Sequence, residues 1–207
     1  MIRIGLTGGI ASGKSAVGAE LTRLGALVVD SDQLARDVVV PGSSGLAAVV
    51  ERFGDGVLQP DGSLDRPALG RIIFGDDQAR RDLNAIIHPR VRATARAIED
   101  LVDDPYLIVV HMIPLLVETG QANAFDSLVV VDTDEDTQRE RLMARNGLSA
   151  DEAQARIDAQ ASRADRLRVA DFVIRNDAGL AELAERTHAV WHELLKLRGQ
   201  QGDGCGC

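Results

Sequence analysis

The chain has little cysteine and little lysine, two residues of each. Its two cysteines fall in the tail Gly199-Gln200-Gln201-Gly202-Asp203-Gly204-Cys205-Gly206-Cys207. A Cys-x-Cys pair offers metal ligands, but no His or further Cys stands near Cys205 and Cys207 to complete a site, so residues 199–207 are expected to form a disordered tail. No apolar run approaches the roughly 20 residues that span a bilayer, and no signal-peptide pattern precedes the first short strand; a cytoplasmic protein with no membrane partner is expected. Excess positive charge is also missing, since 23 Lys and Arg face 32 Asp and Glu for a net charge of −9. General nucleic-acid binding rests on a broad basic surface and is argued against; anionic ligands must be held by local cations. With 45% hydrophobic and 27% charged residues the composition is that of a soluble globular protein, and 207 residues suffice for one core with an inserted subdomain but hardly for two full domains.

Among the basic residues only Lys14 and Lys196 are lysines; elsewhere arginine serves. Lys14 lies in Gly8-Gly9-Ile10-Ala11-Ser12-Gly13-Lys14-Ser15, which fits Gly-x-x-x-x-Gly-Lys-Ser/Thr, the phosphate-binding loop of nucleotide enzymes. Its context is right. Ile2 to Thr7 is a short apolar run of strand type, and Val17, Leu21 and Leu24 recur at helical spacing from Lys14 onward. Glycines let the backbone curl with its N–H groups toward phosphate oxygens, and the start of the helix adds partial positive charge there. In that motif Lys14 bridges the β- and γ-phosphates and the Ser15 hydroxyl binds Mg²⁺. A lysine kept here in an arginine-rich chain points to a need for its compact ammonium.

Ala26 to Asp30 reads as a second buried strand, followed by Asp30-Ser31-Asp32 and a helical run from Gln33 to Val39. Acids at a strand end in an α/β sheet lie where ligands collect, although Ser31 or Asp32 as a helix cap explains one of them equally simply. Residues 43–104 contain no convincing strand; helices are expected over 43–53, 65–74, 76–87 and 89–102, the last with Pro89 in its first turn. His88 either packs at that helix start or touches a substrate. Further strands are expected over 106–112, 127–132 and 171–175, with helices over 135–145, 149–161 and 180–197. Thr133 with Asp136, and Ser149 with Glu152, have capping-box spacing. Five apolar strands alternating with helices predict an α/β fold, a P-loop three-layer sandwich on a five-stranded parallel sheet. Its core takes in about 1–32, 105–145 and 170–198, with a helical substrate-binding insertion at about 33–104 and an Arg-rich helical lid at about 146–169.

Seven arginines lie between 139 and 168: Arg139, Arg141, Arg145, Arg156, Arg163, Arg166 and Arg168. Many belong to surface pairs, but forked donors that close over a transferred phosphoryl group would stabilise its spread charge. Arg145, before the Asn146-Gly147 turn, is the best-placed candidate.

Together with the loop, the blocks Asp30-Ser31-Asp32, Ile87-His88-Pro89, Pro114-Leu115-Leu116-Val117-Glu118, Gln138-x-x-Arg141-Leu142-x-x-Arg145, Arg156-Ile157-x-x-Gln160 and Asp171-Phe172-Val173-Ile174-x-Asn176 resemble the dephospho-coenzyme A kinase family from residue 2 to about 197. The resemblance implies ATP and dephospho-coenzyme A as substrates, Mg²⁺ carried with the nucleotide, and transfer of the γ-phosphoryl group to a ribose 3′-hydroxyl. It makes Asp32 the general base, with Lys14 and Arg145 as its catalytic cations, and assigns ATP to Gly8 through Ala16, Arg145 and Asn176, the last near the adenine. Asp32, His88, Leu115 and Glu118 would meet the acceptor. A monomer or weak homo-oligomer is expected. At one position the chain departs from the pattern, since Met112 stands where the family has Asp. A thioether does not replace a carboxylate as a hard-cation ligand. The alternatives are therefore another small-molecule or nucleotide kinase of this fold, or a nucleotide-binding protein with impaired catalysis. A guanine-nucleotide switch is disfavoured because no Asn-Lys-x-Asp motif occurs.

Overall fold

The structure is a computed structural model that describes residues 1–202, with side chains to 199; Cys205 and Cys207 lie outside the described residues. The chain divides into two compact units, one formed by Met1–Asp30 with the chain from Asp104 onward, the other by Ser31–Asp103.

In the first unit, strands β1 (Ile2–Gly8), β2 (Leu27–Asp30), β3 (Ile108–Met112), β4 (Ser127–Asp132) and β5 (Phe172–Arg175) form one sheet in the order β2-β3-β1-β4-β5. Every neighbouring pair is parallel. β3 and β4 are buried along their whole length, which requires cover on both faces and explains why their sequences are mostly continuous apolar runs, interrupted by His111 in β3 and ended by Ser127 and Asp132 in β4, rather than alternating ones. The register sets Leu6 beside Met112 and Gly8 beside Val131, so the phosphate loop emerges at the C-terminal end of the central strand, between β3 and β4. That is the switch point of the sheet, where such folds collect ligands.

Helix α1 (Lys14–Arg23) follows the loop. After β4 come α6 (Glu135–Asn146), α7 (Ala150–Asp158) and the short α8 (Arg163–Arg168); α9 (Leu180–Gly202) closes the described chain and runs past the expected end at Leu197. Ser149 and Glu152 form the expected capping box on α7. The start of α6 differs from expectation: Asp134 is the N-cap, accepting from Thr137 N at 2.8 Å, because Thr133 is drawn into the interior. The core joins Ile2, Ile4 and Leu6 of β1, Val17 and Leu21 of α1, Met112, and Trp191 and Leu194 of α9.

The second unit is helical, with α2 (Ser31–Asp37), α3 (Ser44–Phe53), α4 (Arg66–Phe74) and α5 (Asp77–Asp100) around Val39, Leu46, Val49, Val57, Leu64 and Leu69. Ser43 and Asp65 cap α3 and α4. The two helices expected on either side of Pro89 are a single one. Pro89 forfeits its bond to the carbonyl four residues back, but Arg90 Nη1 donates to Ile86 O at 2.7 Å, and α5 packs along α2, α3 and α4, which together outweigh the break. Asp32 lies in the first turn of α2 rather than in a loop before it, where an acid suits the helix dipole.

Met112 belongs to the apolar core: its Sδ sits 3.3 Å from where a Cβ on Gly18 would stand, and it is 8% exposed. An uncompensated charge in such a place costs about 3–5 kcal/mol. Met112→Asp is therefore expected to lower the denaturation midpoint, most at neutral pH and less below about pH 4, where a carboxyl is protonated in the unfolded chain as well. An unchanged midpoint together with faster turnover would instead place residue 112 in the catalytic chemistry. A second expectation concerns Glu20 of α1, which accepts from Arg23 at 2.6 Å and pairs with His188 of α9. The Arg23 hydrogen bond first, then that of His188, lower its pKa from 4.5 to about 2. A depressed carboxyl stabilises the fold above its unfolded pKa and ceases to do so as pH falls through the folded value. Glu20→Gln should remove the part of the acid unfolding profile between about 4.5 and 2 in a denaturation series; an identical profile would deny the clasp any weight.

Candidate active site

The loop between β1 and α1 is held in shape by side chains that arrive much later in the chain. Gly13, the N-cap of α1, has φ 97°, and a Cβ on it would stand 2.2 Å from Asn176 Nδ2, so glycine is required both by conformation and by space. Asn176 follows β5; its Nδ2 donates to Ser12 O at 2.7 Å. Thr133, just past β4, has Oγ1 3.0 Å from Asn176 O and 3.3 Å from Ser12 O, with its single proton serving one of them at a time. Both side chains are buried. Ala11 takes the left-handed conformation at φ 58°, which costs a non-glycine residue about 1–2 kcal/mol. Its carbonyl lies 3.4 Å from Arg141 Nη1, and Gln160 Oε1 accepts from Ile10 N at 2.6 Å.

Cations converge on this loop. Lys14 Nζ donates to Gly8 O at 2.8 Å and to Gly9 O at 3.3 Å. On α6, Gln138 and Arg141 are three residues apart and face the loop together. Arg141 Nη2 also lies 3.3 Å from Asn176 O. Arg163, at the start of α8, grips Asp132 of β4 through two bonds of 2.7 and 2.6 Å. That hydrogen-bonded carboxylate raises the Arg163 pKa. Arg166, one turn on, is buried against Gly9: a Cβ there would meet Gln138 Nε2 at 2.7 Å and Arg166 Nη2 at 2.9 Å. Glu118 Oε1 accepts from Ala161 N at 2.8 Å, tying the turn after β3 to the α7–α8 junction. Two buried acceptors beside the loop, Ser12 Oγ and Gln138 Oε1, have no partner among the described residues. Orphans of this kind mark places where a ligand or water completes the bonding.

Gly8 through Ala16, with Lys14 and Ser15, form one cradle at the end of β1, and Asn176 is its buried support. Leu115, half exposed, and Glu118 lie in the turn that follows β3. Arg145 is not brought to the loop. It is exposed one turn beyond Arg141 with Nε on Asn146 Oδ1 at 3.0 Å, and from this helix it is Arg141 that reaches the loop. In the helical unit, Asp32 is exposed at the start of α2 and His88 lies on α5. Burial, and then the nearby Arg92 charge, lower the His88 pKa, favouring the neutral ring. Sequence reasoning quoted the Gln138-x-x-Arg141 and Gln160 blocks without giving them tasks, and it missed Asp132 and Thr133 as parts of the site. The available signal was a buried strand ending in an acid followed by a threonine.

Comparisons with known proteins show the family and the fold. Residues 2–182 match the dephospho-CoA kinase family. A dephospho-CoA kinase of Streptomyces avermitilis is 48% identical over 203 residues, covering 98% of each chain. A solved dephospho-CoA kinase from Campylobacter jejuni is similar with a TM-score of 0.69 and 27% identity, over 94% of this chain and 97% of that one. A shikimate kinase from Bacteroides thetaiotaomicron, 17% identical with a TM-score of 0.54 over 93% and 98% of the two chains, shares the fold.

Removing the amide that fixes Ser12 should loosen the cradle. Asn176→Ala is expected to weaken ATP binding about tenfold, the worth of one lost hydrogen bond of about 1–1.5 kcal/mol. Asn176→Asp, which turns an acceptor toward Ser12 O, should weaken it further. Calorimetric titration with ATP measures both; wild-type affinity in the two variants would remove Asn176 from the site.

Proposed function

Because the chain belongs to the dephospho-CoA kinase family, we propose that it transfers the γ-phosphoryl group of ATP to the ribose 3′-hydroxyl of dephospho-coenzyme A, giving coenzyme A and ADP in the last step of coenzyme A biosynthesis. The observation that carries this reading is the cradle itself, a phosphate loop at the sheet's switch point with Lys14 and Arg141 turned onto it.

In the proposed chemistry, loop N–H groups and the start of α1 receive the phosphate oxygens, and the Lys14 ammonium moves from the Gly8 and Gly9 carbonyls to the β- and γ-phosphates. Arg141 takes the nucleotide side of the loop, Arg145 joins it if the lid closes, and Asn176 borders the adenine. Asp32 accepts the hydroxyl proton and orients the acceptor oxygen. The bond from phosphorus to the β–γ bridging oxygen breaks as the bond to the ribose oxygen forms, and ADP leaves with the electron pair. His88, Leu115 and Glu118 serve the acceptor. Among the described residues no group of three or more His, Cys, Asp and Glu side chains is placed to hold a metal ion. The Ser15 hydroxyl of the loop would hold a Mg²⁺ ion carried on the nucleotide's phosphates. Such an ion neutralises charge on the β- and γ-phosphates. Among the described residues no helix is long and apolar enough to cross a membrane. A cytoplasmic monomer or weak homo-oligomer without nucleic-acid partners completes the proposal.

The family match and the relatives' shared name favour this reading over a catalytically impaired nucleotide binder. A coupled assay with ATP should show phosphorylation of dephospho-coenzyme A and none of nucleoside monophosphates or shikimate. Asp32→Asn should lower kcat by about 10²-fold or more, the usual weight of a positioned base, with ATP affinity retained. Folded protein that leaves dephospho-coenzyme A unphosphorylated would overturn the proposal.

A further inference from the structure

Of the cations near the phosphate loop, Arg166 alone is both buried and short of partners. It is 5% exposed, yet among the described residues its guanidinium makes one hydrogen bond, from Nη1 to Ala161 O, and no ion pair. A guanidinium has five N–H donors, and a buried one without a carboxylate is costly unless something else supplies negative charge. The acids whose charge reaches Arg166 are Glu118, Asp132 and Glu135; Glu118 is engaged with Ala161 N and Asp132 with Arg163, and none of the three hydrogen-bonds the guanidinium. The site thus holds a buried guanidinium with no carboxylate in direct contact among the described residues.

Its position says what it awaits. Arg166 Nη2 packs on Gly9, and the Gly9 carbonyl is also where Lys14 Nζ rests. Lysines of such loops serve the β- and γ-phosphates, so Gly9 marks the end of the loop where the transferred group lies. Arg141 sits at the other end, on Ala11 and Asn176.

We infer that Arg166 is a catalytic residue that binds the equatorial oxygens of the γ-phosphoryl group during transfer. The inference rests on the kinase reading above and names which of the seven arginines does this work. Arg166 takes no proton. It holds a fork of donors, already oriented and shielded from water, toward charge that spreads over those oxygens as phosphorus passes from the bridging oxygen to the acceptor. The burial that makes the unpaired guanidinium costly also strengthens its hold on an anion.

The competing account is a structural pin that docks α8 on the loop. Arg166→Met and Arg166→Lys separate the two when kcat, KM for ATP and melting temperature are measured beside wild type. A transition-state role predicts a fall in kcat of about 10²–10³-fold for Arg166→Met. KM for ATP should change less than about threefold and the melting temperature should stay near wild type. Arg166→Lys should recover part of the rate, because it restores charge without the fork. Undiminished kcat in folded Arg166→Met overturns the inference, and so does loss of fold in both variants, which would assign Arg166 to the scaffold. Wild-type turnover of dephospho-coenzyme A with equal turnover in Arg166→Met removes Arg166 alone; absence of wild-type turnover removes the kinase reading and this inference with it.

Discussion

The carbonyl oxygen of Ser12 is the point on which the site depends. A phosphate loop must keep its N–H groups pointing inward with nothing yet bound, and a chain of glycines and small residues has no reason to do so on its own. Here the conformation is imposed from outside. Asn176 donates to Ser12 O and fills the space that any side chain at Gly13 would need, while Thr133 bridges Asn176 and Ser12. Those residues follow β5 and β4, so the loop reaches its working shape only when β1 is flanked by β4 and β4 by β5. Sheet order and phosphate geometry are thereby one constraint. The strained Ala11 is tolerable because several bonds over-determine the loop around it.

Electrostatics follow the same economy. A protein of net charge −9 cannot attract polyanions by its general field and concentrates its cations where phosphate must lie. Several of its arginines are paired with acids, as Arg163 is with Asp132 and Arg186 with Asp177 and Glu182. Three cations, Lys14, Arg141 and Arg166, converge around one turn of backbone.

Much of this was legible in the sequence, for physical reasons. The loop, the five strands and most helix starts were visible because buried parallel strands are continuous apolar runs and caps have fixed spacing. The long helix through Pro89 was not, since tertiary packing along α5 and the Arg90 bond outweigh a local breaker and neither has a local signature. Arg145 shares the helix stripe of Arg141 at i, i+4 but lies one turn farther along, on Asn146 Oδ1, and the sequence does not say which turn of that stripe lies over the loop. The buried partners of the loop were the hardest to see. Thr133 and Asn176 are 43 residues apart and meet only because β4 and β5 are neighbours. Met112, which stands where the family pattern has a carboxylate, packs against the small Gly18 of α1.

The central claim is that the loop is built before any nucleotide arrives, and amide hydrogen exchange in the nucleotide-free protein tests it most directly. Ile10 N is bonded to Gln160 Oε1 and Ser12 N to Gly9 O at 3.1 Å, so both amides should exchange slowly, at rates closer to those of β1 than to those of exposed turns. If these two amides exchange freely without nucleotide and become protected only when ATP is added, the loop is shaped by its ligand and the account is wrong.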